Sequence, residues 1–244
     1  MPAHRIVILT REAEDNLGLI EKLKPYDLEI LEYPCIATRL IPYSGGEICG
    51  RKLEDFAVVA FTSKRGVAGM AQVSERLLRS SQILAAVGAA TAAAVEKQFG
   101  RNAELVAEPQ TGEGLAQTIL ARFQNPVSVL YVQGAKTTGK FKRLLKKGGF
   151  EICDLVVYEN LPSELKPLTL NKPALAVFAS PSAAANFYHT NPLLRDSVPA
   201  VAIGPTTRKE LRTLGVPRIT LASKPDPDYL VECVRKIIQG EAEP

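Results

Sequence analysis

Two short patterns in this chain put hydroxyl groups and unpaired backbone amides where an anion could be held. Val87-Gly88-Ala89-Ala90-Thr91 and Ile203-Gly204-Pro205-Thr206-Thr207 each end an apolar stretch at a glycine and open a helical stretch at a threonine. The start of a helix leaves its first N–H groups unpaired and carries the positive end of the macrodipole, so such turns suit carboxylates and phosphates. Phe61-Thr62-Ser63 and Phe178-Ala179-Ser180-Pro181-Ser182 make the same strand-to-helix step. Ser63, Gly88, Thr91, Ser180, Ser182, Gly204, Thr206 and Thr207 are therefore candidate contacts to an anionic ligand. Each hydroxyl also has a plainer use as a helix cap, because Ser and Thr are preferred there with or without a ligand. Lys64 and Arg65 follow Ser63 directly and either add positive charge to its turn or serve as solvated helix residues.

A third pattern resembles a phosphate-binding loop and stops short of being one. Gly134-Ala135-Lys136-Thr137-Thr138-Gly139-Lys140 follows an apolar run and satisfies the Gly-x4-Gly-Lys spacing. Phe141 then stands where a nucleotide site needs a Ser or Thr hydroxyl for magnesium, and no apolar strand ends in the second metal-binding aspartate. This argues against an ATPase or GTPase. Gly134 and its loop remain candidates for gripping a carboxylate or phosphate of another ligand. The run Lys140, Lys142, Arg143, Lys146 and Lys147 reads most simply as a wet helix face.

These turns need elements to position them, and the hydrophobic pattern supplies a regular set. Apolar runs predict strands at 5–10, 29–33, 57–62, 83–87, 127–132, 151–158, 174–179 and 199–203. Amphipathic stretches predict helices at 14–24, 64–78, 90–99, 112–123, 138–148, 181–189, 205–214 and 227–238. Such alternation implies α/β architecture with parallel, doubly wound sheets and helices on both faces, where ligands gather at the carboxyl edges of the strands.

The chain also states its pattern twice. Phe61-Thr62-Ser63, Val87-Gly88-x-x-Thr91 and Thr111-Gly112-Glu113-Gly114-Leu115 return as Phe178-Ala179-Ser180, Ile203-Gly204-x-x-Thr207 and Pro227-Asp228-Tyr229-Leu230. Upstream, Arg5-Ile6-Val7-Ile8-Leu9-Thr10 is echoed by Val127-Ser128-Val129-Leu130-Tyr131-Val132. With the strand-helix-strand segment written A and the longer segment B, the chain runs A, B, A′, B′. A tandem partition cuts once near Asn125-Pro126. An interleaved partition cuts near Pro34 to Thr38 and again across Asn160 to Pro167, and the proline and polar residues of that second cut favour it. The expected domains are 1–36 with 166–244, and 37–165, with linkers near 34–40 and 158–167 and a ligand cleft between two similar units.

Composition narrows the function classes. The 244 residues are 46% hydrophobic and 23% charged, as expected of a globular chain with a sizeable core. No apolar run nears the ~20 residues that span a bilayer, and the start lacks a signal pattern, so the expected compartment is the cytoplasm, with no membrane partner. A net charge of +4, no Trp and 6% aromatic residues leave no footprint for nucleic acid but suit an anionic small molecule. Cys35, Cys49, Cys153 and Cys233 are scattered, with only His4 and His189 to join them, so neither a zinc site nor a disulfide framework is expected.

Taken together, Phe61-Thr62-Ser63-Lys64-Arg65, Val87-Gly88 with Thr91, Val157-Tyr158-Glu159, Phe178-Ala179-Ser180-Pro181-Ser182 and Ile203-Gly204-Pro205-Thr206-Thr207 resemble the uroporphyrinogen-III synthase family over nearly the whole chain. The resemblance implies two flavodoxin-like parallel-sheet domains joined by a two-strand linker, with the N-terminal segment returning to the C-terminal half. It implies a cofactor-free, metal-free lyase of tetrapyrrole biosynthesis that closes linear hydroxymethylbilane into a ring, with loss of water and inversion of the last pyrrole. The substrate carries acetate and propionate groups, so carboxylate binding is the main recognition task, and transient contact with the bilane-forming enzyme upstream is a further implied partnership.

The same resemblance makes Tyr158 the catalytic candidate, as the group that helps the substrate hydroxyl leave. Phenols titrate near pH ~10 and can donate a proton or hydrogen bond at neutral pH. The plainer alternative is an aromatic plug in a linking strand. Ala179 and Gln133 depart from the family pattern, where a threonine and a basic residue are common. A second functional class stays open beside the enzyme, a non-catalytic two-lobed module that binds a tetrapyrrole or other polyanion without turning it over.

Overall fold

The computed structural model describes residues 6–43, 45–73, 81–224 and 226–241. Eleven strands are present among them: β1 (Ile6–Leu9), β2 (Glu29–Glu32), β3 (Ile36–Leu40), β4 (Val58–Phe61), β5 (Ile83–Ala86), β6 (Leu105–Val106), β7 (Ser128–Gly134), β8 (Glu151–Pro162), β9 (Ala174–Phe178), β10 (Ala200–Ala202) and β11 (Ile219–Leu221). The helices are α1 (Ala13–Leu23), α2 (Lys64–Val73), α3 (Ala89–Phe99), α4 (Gly112–Arg122), α5 (Lys140–Lys147), α6 (Pro181–Thr190), α7 (Pro205–Thr213) and α8 (Pro227–Ile238). Residues 74–78 of the helix expected from 64, and Arg5 of the first expected strand, lie outside the described residues, as does His4.

The chain divides into two compact units. Unit 1 holds the residues up to Ala37 and those from Leu161 onward, and unit 2 holds Thr38–Asn160. In unit 1 the sheet runs β2-β1-β9-β10-β11, with all four pairings parallel. Counted along the chain within that unit the order is 2-1-3-4-5, the flavodoxin arrangement. In unit 2 the order is β8-β7-β4-β5-β6, again parallel, with β3 added outside β8. The Ile41 amide donates to the Val157 carbonyl and the Ser163 amide to that of Cys35. Those partners count in opposite directions along the chain, so β3 and β8 form an antiparallel pair.

Burial follows the two-residue period of a strand. In β1, Ile6 and Ile8 join one apolar cluster with Phe178, Phe187 and Tyr188, while Val7 and Leu9 join another with Leu19, Leu230 and Val234. In β4, Val59 and Phe61 pack with Val67, Met70 and Leu155, and Val58 and Ala60 pack with Leu115, Ile119 and Phe141. Alternate side chains point to opposite faces, so each sheet is covered on both sides and its strands read as unbroken apolar runs.

Differences from the sequence expectations are confined to short or linking elements. Strands β6 and β11 have two and three residues and sit at sheet edges, where so short a run gives no period to detect. The expected strand 151–158 continues to Pro162 because β3 pairs with its second half. The expectation of no disulfide is corrected, since Cys49 and Cys153 are bonded across 104 residues of sequence. Their Cα atoms lie 6.1 Å apart, within disulfide reach. A spacing that long carries no local signal, and folding alone brings the two thiols together. Cys35 is free and buried, and Cys233 is free and half-buried.

Candidate functional site

In unit 2 the strand order reverses between β7 and β4, and the residues singled out there collect at the carboxyl ends of those strands. Strand β4 ends at Phe61, and Ser63 follows as the cap of α2, its Oγ accepting from the Gly66 amide at 3.0 Å. Strand β7 ends at Gly134, which pairs with Tyr158 on β8. The Ser63 hydroxyl also donates to the Tyr158 hydroxyl at 3.0 Å. Ligands of open α/β sheets bind at such a reversal point.

Local geometry explains how Tyr158 arrives there. Gln133 pairs with Val156, but the next pair is Gly134 with Tyr158, so Val157 is an extra residue and the register shifts. A bulge of this kind re-aims the side chain that follows it. The Ala135 amide donates to the Tyr158 carbonyl at 2.8 Å and fixes the strand beyond the bulge. Gly134 gives the ring its room, because a Cβ there would stand 2.7 Å from Cε2 and Cζ of Tyr158. Helix α2 comes close for a similar reason. A Cβ on Gly69 would lie 2.6 Å from the Val157 Cβ and 2.9 Å from its carbonyl oxygen. Behind this group Tyr131 is buried, and burial raises its hydroxyl pKa, with hydrogen bonding to Thr62 and Thr137 pulling the other way.

The two Gly-x-x-Thr turns differ from the sequence expectation in one respect. Gly88 and Gly204, rather than the threonines, occupy the cap positions of α3 and α7, and neither helix start has a side-chain cap bond. Both glycines have extended backbones that any residue adopts. At Gly88 the constraint is space, since the Gln110 side chain fills the place of a Cβ. Thr91 and Thr207 are the third residues of their helices and are 5% and 1% exposed, so both hydroxyls sit beneath the turn rather than on it. Thr206 is exposed.

In unit 1 the corresponding reversal lies between β1 and β9. Ser180 caps α6 by accepting from the Ala183 amide at 3.2 Å, and its hydroxyl lies 3.3 Å from that of exposed Ser182. Beside them buried Thr10 donates to the Val177 carbonyl, and Arg11 pairs with Asp15 at 3.3 Å. Strand register makes Arg11 the counterpart of Gln133, because Leu9 pairs with Val177 one residue before Phe178, as Tyr131 pairs with Ala60 one residue before Phe61. Thr10, Arg11 and Gln110 escaped the sequence reading. The repeat itself held the signal for Arg11, since β1 runs into it as β7 runs into Gln133. An open groove of about 800 Å³ extends along α6 past Ser182, Asn186, His189 and Arg195. The Asn186 amide donates to the carbonyls of Cys35 and Ser163 and so ties the unit 1 ends of both linking strands to α6.

Lys64 is exposed and Arg65 half-buried in the first turn of α2. The loop from Ala135 to Lys140 is exposed, and Lys140 pairs with Glu113 at 3.2 Å. Among the described residues no group of three or more His, Cys, Asp and Glu side chains is arranged to hold a metal, and no helix is long and apolar enough to cross a membrane.

Comparison with known proteins bears on the family and the fold. The model of the uroporphyrinogen-III synthase HemD family matches residues 18–232. The uroporphyrinogen-III synthase of Chlorobaculum parvum is 29% identical over 227 residues, covering 87% of this chain and 90% of its own. A putative uroporphyrinogen-III synthase of Methanocaldococcus jannaschii is 26% identical, with 86% and 89% covered. The crystal structure of the Helicobacter pylori uroporphyrinogen-III synthetase shares the fold with a TM-score of 0.68 at 19% identity, covering 95% of this chain and 99% of that one. A family match across most of the sequence, on a fold that its solved members share, means that this chain belongs to the uroporphyrinogen-III synthase family.

Proposed function

We propose that this chain closes hydroxymethylbilane to uroporphyrinogen III, a lyase reaction that loses one water and inverts the last pyrrole. The observation that carries the reading is a phenol at the reversal point of unit 2 that accepts a hydrogen bond from Ser63 and so keeps its own proton to give. Tyr158 passes that proton, directly or through water, to the hydroxyl of the substrate. Water departs and leaves an azafulvene cation. The substituted α-carbon of the terminal pyrrole attacks that cation, and its older bond to the neighbouring methylene breaks to leave a second azafulvene cation. The pyrrole's free α-carbon attacks this in turn, so that the ring closes with the pyrrole inverted. The proton lost from that free α-carbon balances the one spent on the hydroxyl. Holding the reacting ends together supplies the larger share of the rate, on the order of several kcal/mol.

Carboxylate recognition falls to the helix starts of each unit. Lys64, Arg65 and Gly88 form the unit 2 set, and Ser180, Ser182, Gly204 and Thr206 the unit 1 set, with Thr91 and Thr207 packed beneath their turns as supports. The bare N–H groups at the starts of α3 and α7 suit propionates. We place the reaction in the cytoplasm, with the substrate received from a bilane-forming enzyme, and the two units above serving as its domains. The test is the isomer composition formed from freshly generated hydroxymethylbilane without added metal or cofactor. Predominantly type III product is the expected result, and type I product alone at the protein-free rate would overturn the reading.

A further inference from the structure

The proposed proton donor does not stand alone, and the groups that aim it come from three separate segments of unit 2. The Ser63 Oγ sits between two partners, accepting from the Gly66 amide at 3.0 Å and donating to the Tyr158 hydroxyl at 3.0 Å. The Gly66 amide belongs to the first turn of α2, where the positive end of the helix dipole polarises whatever its N–H groups touch. A serine hydroxyl that accepts there has its one proton left for Tyr158, and Tyr158, once it accepts that proton, has its own left for a further acceptor.

The geometry that brings these hydroxyls together is built from missing side chains. Gly69 lets α2 rest on Val157, the residue before the tyrosine, and Gly134 leaves a space under the ring. A methyl group on Gly134 would stand 3.0 Å from the phenol oxygen and 2.7 Å from two ring carbons. A side chain there must therefore displace the ring and, with it, the contact to Ser63.

We propose that Ser63 and Gly134 are positioning residues for Tyr158: Ser63 turns the phenol's proton away from itself and toward the departing hydroxyl of the substrate, and Gly134 holds the ring where Ser63 can do so. This rests on the role of Tyr158 given above and reassigns two residues from carboxylate binding to control of proton delivery. The phenol proton goes to the leaving hydroxyl, which departs as water, and the proton released at ring closure restores the phenol.

The test measures kcat and KM for type III product in the full-length protein and in Ser63→Ala, Ser63→Thr, Gly134→Ala, Tyr158→Phe and Ser63→Ala/Tyr158→Phe, with thermal melting as the check on folding. Ser63→Ala is expected to lower kcat about tenfold with KM within twofold, Ser63→Thr to recover most of the loss, and Gly134→Ala to behave like Ser63→Ala. Adding Ser63→Ala to Tyr158→Phe is expected to cost nothing more, because its target is gone. A raised KM at unchanged kcat in Ser63→Ala would make the serine a carboxylate contact and overturn the proposal. A full tenfold loss in the Tyr158→Phe background would overturn it as well. Unchanged kcat in Tyr158→Phe would overturn it by removing the tyrosine from the mechanism, a pattern distinct from either. Loss of type III product in the parent protein would remove the function itself.

Discussion

Unit 1 and unit 2 have the same spatial plan and reach it by opposite chain orders. Superposing β2-β1-β9-β10-β11 on β8-β7-β4-β5-β6 matches each strand with its sequence echo. In unit 1 the strand-helix-strand segment comes first and the three-strand segment last, whereas unit 2 is built from the later copy of the first and the earlier copy of the second. Sheet order is thus governed by which apolar faces and edges complement one another, and chain order has to fit it through the two linking strands. The carboxyl edges then diverge. The unit 2 edge carries Tyr158 with Ser63 and the unit 1 edge carries paired serines and Arg11; away from these edges, unit 2 holds the disulfide and unit 1 buries Tyr33, Tyr188 and Cys35 in one apolar cluster. On the proposed function, the unit 2 edge both moves a proton and holds charge, and the unit 1 edge holds charge.

That contrast can be broken most severely at the disulfide. Reducing Cys49–Cys153, or replacing Cys153 by serine, is expected to lower the stability of unit 2 by about 4 kcal/mol, given the long loop it closes, and to leave unit 1 unchanged. Hydrogen exchange of the two sheets with and without reductant measures this. Equal loss in both would show that the units do not unfold separately. The bond also reports the compartment, since a reducing cytoplasm keeps such a pair as thiols. Thiol trapping in freshly lysed cells should therefore find Cys49 and Cys153 reduced if the chain works there.

Tyr158→Phe is next in size. A loss of roughly a hundredfold in kcat, about 2.7 kcal/mol, is expected from removing a general acid, with both units still folded. Turnover that survived it would remove the functional difference between the edges. Gly69→Ala follows, at about 2 kcal/mol in the melting of unit 2, because the new methyl meets the Val157 backbone and cannot be relieved by a flexible side chain. Ser180→Ala should cost about 1 kcal/mol in unit 1 as a lost cap, and a parallel rise in KM would mark it as a carboxylate contact too.

The smallest effect is a drift with pH. Burial pushes the Cys35 thiol up to about 12 and raises Tyr188 and Tyr33 as well. Groups whose folded pKa lies above the unfolded value contribute stability in full below the unfolded value and lose it as pH rises through the folded one. Unit 1 should therefore weaken from about pH 8.5, where an unfolded thiol ionises, toward pH 12. Thermal melts between pH 8 and 11 should show a smaller decline in Cys35→Ala, and an identical decline would acquit the thiol.

The eight helices and the longer parallel strands were legible because each has a period and a clear boundary, such as Gly88 before α3 or Pro181 after Ser180. Strands β6 and β11 were not, since two or three residues at an edge are ordered by a neighbour rather than by their own pattern. Strand β3 looked like linker until β8 was there to pair with it. The caps were half legible. Sequence placed Gly and Thr at the starts of α3 and α7 but could not tell which would cap and which would be buried, a choice made by the packing of each helix on its sheet.

By itself, then, the sequence determined what local chemistry dictates: alternation of strands and helices, a doubled plan, and hydroxyls and bare amides at strand-to-helix turns. Even the candidacy of Tyr158 came from resemblance to a family and not from its own surroundings in the chain. Tertiary structure alone decided the contacts that span long sequence distances. The bond from Ser63 to Tyr158 crosses 95 residues, the disulfide crosses 104, and the space that Gly134 leaves for a phenol depends on a bulge in the strand beside it. Such contacts arise only after the sheet has set its register, because a shift of one residue in β8 would turn Tyr158 and Cys153 to the other face.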